Sequence, residues 1–218
     1  MPAALFTPPP TELTPGAVHI PGWLAKDAQQ NLVNSCREWA EPPSGLRTTR
    51  LPSGGVMSVR TVCLGWHWYP YGYTRTIPND NTQVKPFPTW LADLGRQAIH
   101  AAYQDEEAAQ NYHPDVALIN YYDDNAKMGL HQDKDEHSNA PVVSLSLGNT
   151  CVFRFGNTTN RNRPWTDIEL ASGDLFVFGG PSRLAYHGVQ RTLPDTADPS
   201  MAPGRWNITL RESGRTIE

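Results

Sequence analysis

The strongest constraint on the fold is a run of short apolar segments after residue 115, which are separated from one another by turn residues. These segments are DVALINYY, PVVSLSLG, CVFRFG, DLFVFGG and RWNITLRES. In the second of them, Val143, Leu145 and Leu147 alternate with Ser144 and Ser146. Because successive side chains of a strand point to opposite faces, this alternation predicts a strand with one buried face. The C-terminal half of the chain therefore predicts a sheet of many short strands.

Two segments with helical periodicity precede these strands. Apolar side chains recur on one face near 26–40 and again near 88–103, which predicts two amphipathic helices. Between them, residues 63–88 are rich in aromatics, Pro and Asn, and we predict no regular structure there. Helices followed by many strands favour an α+β fold, with the helices backing an antiparallel sandwich or barrel.

Composition narrows the classes of function. The chain has 218 residues, enough for one sizeable core, so a single domain is the default. Its net charge of -4 gives no overall attraction to nucleic acid or to an anionic membrane, and a local basic patch would have to hold any polyanion. No stretch approaches the roughly 18 apolar residues that would span a bilayer.

The N-terminus and the cysteines favour a protein of the cytoplasm. Residues 1–16 are rich in proline and predict a flexible arm, with one domain over 17–218. The first residues lack the basic start and apolar run of a signal peptide. Cys36, Cys63 and Cys151 are odd in number and far apart, which favours three reduced thiols.

A His-x-Asp pair, His131 and Asp133, follows Leu130 at the edge of the predicted core. On an extended segment these two side chains point to one face and could reach the same ion. The pattern is weak alone, because a polar turn explains it equally well and His113 and Asp115 have the same spacing. Pro114 makes a turn more plausible for that second pair.

A third ligand is available at His187, which comes just after the apolar strand DLFVFGG. Gly188 follows it and lets the backbone turn close to a ligand. Two histidines and one carboxylate are the facial triad of non-haem Fe(II) oxygenases, although zinc accepts similar ligands. The triad therefore predicts a metal centre without naming the metal.

The C-terminal strand carries a polar row of Arg205, Asn207, Thr209 and Arg211. By the period of two, these side chains share one face of the strand. A solvated edge strand would explain the row, but two arginines with no acid between them favour an anion, and a dicarboxylate such as 2-oxoglutarate fits. Their Cα atoms would lie roughly 20 Å apart. Either both arginines lean inward, or one serves the metal end and the other the tail.

In order along the chain, the segments LINYY, LHQDKDE, VSLSLG, GGPSRLAYHG and RWNITLR resemble the AlkB family of Fe(II)/2-oxoglutarate-dependent nucleic-acid dealkylases. The similarity covers about residues 16 to 214. It implies a double-stranded β-helix (jelly-roll) core with iron bound by His131, Asp133 and His187. It also implies 2-oxoglutarate contacts at Asn120, Tyr122, Arg205, Asn207 and Arg211.

The substrate side centres on WHWYPYGY at residues 66–73, with five aromatics in eight positions. This segment is either a flap packed on the core or a base-stacking part of a nucleotide-recognition lid at about 45–87. The resemblance places Trp66, Tyr73 and Asp135 at substrate positions. The loop NTTNRNRPW offers Arg161 for phosphate contacts, with a merely solubilising loop as the alternative.

The resemblance implies oxidative demethylation of bases such as 1-methyladenine and 3-methylcytosine in DNA, with RNA as a further candidate, and release of formaldehyde. The expected co-substrates are 2-oxoglutarate and O2, and the expected partner is methylated single- or double-stranded nucleic acid, bound by a monomer. An oxygenase acting on protein or a small molecule, and a non-catalytic nucleic-acid binder, remain as alternatives. Arg75 and Gly129 depart from the family pattern, which leaves the lesion and the strand preference open.

Overall fold

The computed structural model of the protein describes residues 9–78, 81–201 and 203–216. The helices are α1 (Lys26–Ala40), α2 (Thr89–Tyr103) and α3 (Glu106–Gln110), with a short 3-10 helix at Gly180–Ser182. The strands are β1 (Thr11–Thr14), β2 (Ala17–Ile20), β3 (Arg47–Arg50), β4 (Val56–Leu64), β5 (His67–Tyr69), β6 (Gly72–Thr74), β7 (Val116–Tyr122), β8 (Val142–Gly148), β9 (Thr150–Gly156), β10 (Trp165–Leu170), β11 (Leu175–Phe178), β12 (His187–Leu193) and β13 (Arg205–Arg211).

Two antiparallel sheets face each other. The large sheet has the order β1-β2-β11-β8-β13-β7-β4-β3, and the small one has the order β10-β9-β12. Between them Phe153 and Phe155 of β9 pack edge-on against Phe176 of β11, with ring centroids 5.2 Å apart in both pairs. This buried aromatic layer joins the sheets into a jelly-roll sandwich, as the sequence predicted.

The helices cover the outer face of the large sheet. Leu32 of α1 and Leu91 of α2 are buried in one cluster with Leu145 of β8 and Ile208 of β13. Gly95 lies in the middle of α2, where a Cβ atom would come within 3.0–3.2 Å of three neighbouring side chains. The absence of a side chain at this position lets α2 lie close to the sheet.

The polar row on the C-terminal strand is in the interior. β13 pairs with β7 on one side and β8 on the other, and all seven of its residues are buried. Trp206, Ile208 and Leu210 face the outer core beneath the helices. The side chains of the polar row therefore point between the two sheets; these are Arg205, Asn207, Thr209 and Arg211. The explanation of this row as the solvated face of an edge strand is wrong.

Three sequence expectations need correction. Residues 63–88 are not wholly irregular, because β5 and β6 form a hairpin there. Part of the predicted flexible arm over 1–16 is ordered, since β1 pairs with β2, while residues 1–8 lie outside the described residues. The proline-rich segment QRTLPDTADPSMAPG at 190–204 predicts a long loop, but β12 continues to Leu193, so the loop begins later.

Among the described residues, no helix has both the length and the apolar character that crossing a membrane requires.

Candidate metal centre and co-substrate pocket

His131 and His187 are brought together by the backbone. Their amides and carbonyls exchange two hydrogen bonds of 2.9 Å, which form an isolated antiparallel bridge at the start of β12. The two rings lie 4.5 Å apart between centroids. Asp133 is two residues beyond His131, and its carboxylate lies 3.5 Å from His131 Nε2 and 3.6 Å from His187 Nε2.

The donor set fits a divalent metal ion. One ligand atom from each of His131, Asp133 and His187 lies within 4.8 Å of the others. Each imidazole Nδ1 lies 2.9 Å from a backbone carbonyl, that of Gly129 or Ala185, which leaves both Nε2 atoms as donors to a metal. Asp133 Oδ2 is buried with no hydrogen-bond partner in the described structure. An ion would satisfy this orphaned oxygen.

The protonation states also suit metal binding. Burial lowers the pKa of His187 to about 4, so its imidazole is neutral at physiological pH. For Asp133, burial alone would raise the carboxyl pKa. Arg211, His187 and His131 outweigh burial and hold that pKa far below its usual range. A neutral imidazole at His187 beside an ionised carboxylate at Asp133 is the state that coordinates Fe(II) or Zn(II).

The competing His-x-Asp pair is used elsewhere. Asp115 accepts hydrogen bonds from the Trp66 indole and from the backbone and hydroxyl groups of Ser213. The His113 backbone amide donates to Glu212, and the His113 side chain is exposed. Within the described ranges, no cluster of potential metal ligands includes either residue of this pair.

Arg211 lies at the metal end of the interior polar row. Its Nη2 is 2.8 Å from Asp133 Oδ1, and its Nη1 donates to Glu136 at 3.0 Å and to the Tyr73 hydroxyl at 3.2 Å. Burial alone would lower the pKa of this guanidinium, but Asp133, Tyr73 and Glu136 raise it well above its ordinary value. Arg211 is therefore a permanent cation beside the triad.

Arg205 lies at the other end of the same strand. It is 1% exposed, and its Nη atoms donate to Ser146 Oγ and to the carbonyls of Asn149 and Leu170. Its Nε is buried without a hydrogen-bond partner in the described chain. Tyr122 lies directly opposite Arg205 on β7. The two arginines therefore lie at opposite ends of the polar row, Arg211 at the metal end and Arg205 at the far end. This arrangement favours the alternative in which each arginine serves one end of 2-oxoglutarate over the one in which both lean inward.

The strip between the arginines is lined by amides and hydroxyls. Asn207 lies opposite Asn120 across the β13–β7 ladder, and the two amides are 3.5 Å apart. Asn120 also accepts from Thr61, and Asn207 donates to Ser144 at 2.8 Å. The five residues that the sequence assigned to 2-oxoglutarate thus line one buried polar strip that ends at the metal ligands.

The predicted substrate residues divide into two groups. Tyr73 accepts a hydrogen bond from Arg211, which pairs with Asp133, so Tyr73 lies beside the triad. Asp135 is two residues beyond Asp133 and accepts from Trp68 at 2.8 Å. Trp66 is buried against Arg75, whose guanidinium carbon lies 4.0 Å from the ring centroid. Trp66 is therefore a packed residue of the hairpin base in this structure, covered by the arginine that departs from the family pattern.

Arg161 reaches the same region from the β9–β10 loop. Its side chain is exposed, and its Nε donates to the carbonyl of Leu130, the residue before the first metal ligand. The guanidinium also lies 5.7 Å from the Tyr186 ring centroid. These contacts hold a basic side chain at the rim of the metal centre.

Two residues of the site were missed from sequence. Glu136 has a fully buried carboxylate bound by Arg211 and by Arg183. Arg183 also donates to the carbonyls of Asp133 and Ala140. Both residues occur within the quoted segments LHQDKDE and GGPSRLAYHG, but nothing in their spacing shows that two charged side chains so near a metal site would be buried together.

The jelly roll, the two-histidine and one-carboxylate triad, and the arginine-ended polar strip define a protein of the Fe(II)/2-oxoglutarate oxygenase class. The profile of the 2OG-Fe(II) oxygenase superfamily matches residues 16–211. A Caulobacter vibrioides protein named alpha-ketoglutarate-dependent dioxygenase AlkB homolog is 39% identical, over 94% of this chain and 90% of that protein. The chain belongs to the AlkB family.

The similar Arabidopsis thaliana proteins are longer than this chain. The Arabidopsis thaliana protein named DNA N(6)-methyladenine demethylase ALKBH1D is 29% identical over 91% of this chain, and the chain spans about half of that protein's length. The solved structure of OsALKBH1 superimposes with a TM-score of 0.83 at 34% identity, covering 94% of this chain and all of that chain.

Proposed function

We propose that this protein removes methyl groups oxidatively from N-methylated bases such as 1-methyladenine and 3-methylcytosine in nucleic acid, as a monomer in the cytoplasm. The observation that carries the proposal is the convergence of the triad with a buried arginine at each end of one polar strip. The names of its relatives, which include a DNA demethylase and an AlkB dioxygenase, support nucleic acid as the substrate. Three free, buried cysteines support a reducing compartment.

The chain's own residues would hold the metal ion and the 2-oxoglutarate co-substrate. His131, Asp133 and His187 would bind Fe(II), which supplies the chemistry that couples O2 and 2-oxoglutarate to hydroxylation of a C–H bond. We expect Arg211 to bind the carboxylate nearest the metal and Arg205 to bind the far carboxylate, because they lie at opposite ends of the strip. Each guanidinium is buried, where a charged hydrogen bond to a carboxylate is strongest.

The substrate side offers groups that suit a cationic methylated base. Asp135 is a carboxylate two residues beyond Asp133, and Trp68 of the β5–β6 hairpin donates a hydrogen bond to it. Tyr73 of the same hairpin adds an aromatic ring. Carboxylates and aromatic faces both favour a base that carries positive charge. Hydroxylation of the methyl carbon leaves an unstable N-hydroxymethyl group, which releases formaldehyde and restores the base.

The direct test is formaldehyde release from methylated oligonucleotides. We expect Fe(II)- and 2-oxoglutarate-dependent release from single-stranded DNA that contains 1-methyladenine or 3-methylcytosine, with one succinate formed per formaldehyde. RNA oligomers and an N6-methyladenine oligomer measured alongside would define the preference. Asp133→Ala, which removes the carboxylate ligand, is expected to abolish release and serves as the matched control.

An outcome in which no methylated DNA or RNA oligomer yields formaldehyde, while succinate still forms, would overturn nucleic acid as the substrate. That result would favour the alternative of an oxygenase that acts on protein or on a small molecule.

A further inference from the structure

The tip of the β5–β6 hairpin has an unusual turn. Tyr69 pairs with Gly72, so Pro70 and Tyr71 are the two central residues of the turn. Proline restricts the first central position to a φ near -65°, and Tyr71 at the second has a φ of 76°. This combination matches a type II turn, whose second central position normally takes glycine or asparagine.

Tyr71 therefore occupies a backbone conformation that a large side chain rarely adopts. A glycine there would relieve the strain, yet the chain carries a tyrosine whose side chain is directed into solvent, 77% exposed. Tyr71 is the most exposed large hydrophobic side chain in the described part of the structure. Its contacts within the protein do not account for the cost of this conformation.

The hairpin beneath the tip is fixed to the metal centre. Trp68 and Tyr73 form a cross-strand pair and bind Asp135 and Glu136, which follow Asp133 in the chain. Tyr69 lies across the backbone of Gly72, where a Cβ atom would meet its hydroxyl oxygen at 2.7 Å. The tip is therefore held at the side of the site by two anchors and a packed ring.

The charge of the hairpin suits a polyanion. Residues 65–78 include Arg75 and contain no Asp or Glu. A strand of nucleic acid whose methylated base lies at the triad must continue past this hairpin, and its neighbouring bases offer flat faces to an exposed aromatic ring.

We propose that Tyr71 stacks on a base flanking the methylated one, so that the protein recognises a nucleotide within a strand rather than an isolated nucleotide. This inference rests on the proposed function and adds the length of the substrate to it. Tyr69, which pairs with Gly72 at the base of the turn, supports the hairpin tip. Stacking on a base requires the aromatic ring of Tyr71 but not its hydroxyl group.

The test uses Tyr71→Gly and Tyr71→Phe in the 218-residue chain, with Fe(II) and 2-oxoglutarate under anaerobic conditions. Binding of a fluorescent single-stranded 1-methyladenine oligonucleotide is expected to weaken about tenfold in Tyr71→Gly and to stay near wild type in Tyr71→Phe. With abasic spacers on both sides of the methylated nucleotide, wild type and Tyr71→Gly are expected to bind equally. In aerobic turnover, the ratio of kcat/KM for the oligonucleotide to that for the methylated mononucleotide should fall about tenfold in Tyr71→Gly.

Gln104→Gly is the matched control, because Gln104 also has a positive φ, 54°, and lies at the end of α2. Both glycine variants should unfold at or above the wild-type temperature, which separates a binding defect from a folding defect. Equal binding of the intact oligonucleotide by wild type and Tyr71→Gly would overturn the inference. So would a loss that persists with abasic flanks. A wild type that binds through Tyr71 but releases no formaldehyde would instead reject only the proposed function.

Discussion

Glu136 shows how a single charge can hold a site together. Its carboxylate is fully buried and accepts from two guanidinium groups and from the Tyr73 hydroxyl. Burial alone would raise its pKa, but the attraction of Arg211 and its other donors lowers it below the ordinary value of 4.5. Together with Asp133 it balances the charges of Arg183 and Arg211, which are only 5% and 6% exposed.

Removing this charge should destabilise the metal-free protein. Glu136→Gln leaves two buried guanidinium groups with one carboxylate, and we expect a loss of about 3 kcal/mol in the free energy of unfolding at pH 7. Because the folded-state pKa is lowered, the wild-type advantage is complete above pH 4.5 and is lost as the pH falls through the folded pKa. Urea unfolding between pH 7 and pH 3 measures both effects.

Glu169→Gln is the control, because Glu169 lies on the exposed face of β10. The same loss in both variants, or a Glu136 effect that does not diminish at low pH, would contradict the ion-pair explanation.

One segment joins the two halves of the metal site. The 3-10 helix Gly180–Ser182 places Arg183 so that its Nε donates to Ala140 at 2.7 Å and its Nη atoms donate to Asp133 and Glu136. Asp133 and His187 lie on different segments of the chain. Arg183 therefore fixes the carboxylate ligand relative to the histidine ligand without contacting the metal position itself.

Arg183→Met should weaken metal binding by about ten- to a hundredfold, as is usual when the partners that orient metal ligands are lost. Anaerobic titration with Co(II), followed by its absorption, reports the affinity without turnover. Arg183→Lys keeps the charge but not the three-way hydrogen bonding, and should fall between wild type and Arg183→Met. Arg37→Met, on the exposed side of α1, should bind the metal as wild type does; equal losses in both Met variants would reject the positioning role.

The packing of α2 on the large sheet depends on close approach. Gly95 has a poor helical propensity but lies within the continuous helix α2. The space beside it is filled by Tyr112, Pro114 and Leu210. Leu210 belongs to β13, the strand that carries both arginines. The helix and the polar strip are thus on opposite faces of the same strand.

Gly95→Leu should destabilise the fold by about 3 kcal/mol, because the added side chain overlaps all three neighbours. Gln97→Leu, one exposed position along the same helix, should change stability little. Chemical denaturation of the two variants provides the comparison, and a stable Gly95→Leu protein would mean that α2 moves away from the sheet at little cost.

Different basic residues are expected to bind the co-substrate and the nucleic acid. Two buried arginines lie in the interior strip, while Arg161 is exposed at the rim and makes no ion pair within the described residues. With a net charge of -4, binding of a polyanion must depend on such local cations. Because few cations are involved, we expect the affinity for nucleic acid to depend only weakly on salt concentration.

Arg161→Ala should weaken binding of single-stranded DNA similarly for all sequences and reduce the slope of log K against log salt by about 0.7. Fluorescence anisotropy at several salt concentrations gives both values. Lys26→Ala removes an exposed cation on α1 and should leave the slope unchanged. An unaltered slope in Arg161→Ala would place the phosphate contacts elsewhere.

Periodic local patterns were predictable from sequence. The helices expected near 26–40 and 88–103 are observed at Lys26–Ala40 and Thr89–Tyr103, because apolar spacing along one helix face is a local property. The hairpin of β5 and β6 was not predictable. Its strands have three residues each, and its aromatic side chains serve both the fold and the site. The central position of β13 in the sheet could not be predicted either, because a polar row is equally typical of the solvated face of an edge strand.

The order of the motifs along the chain was enough to identify the family, and the family resemblance implied the three metal ligands, because each motif depends on spacing within a few residues. Tertiary structure alone decided which arginine lies at the metal end and that Glu136 and Arg183 are buried together. These properties depend on distances between segments far apart in sequence, and only the packing of one sheet on the other determines those distances.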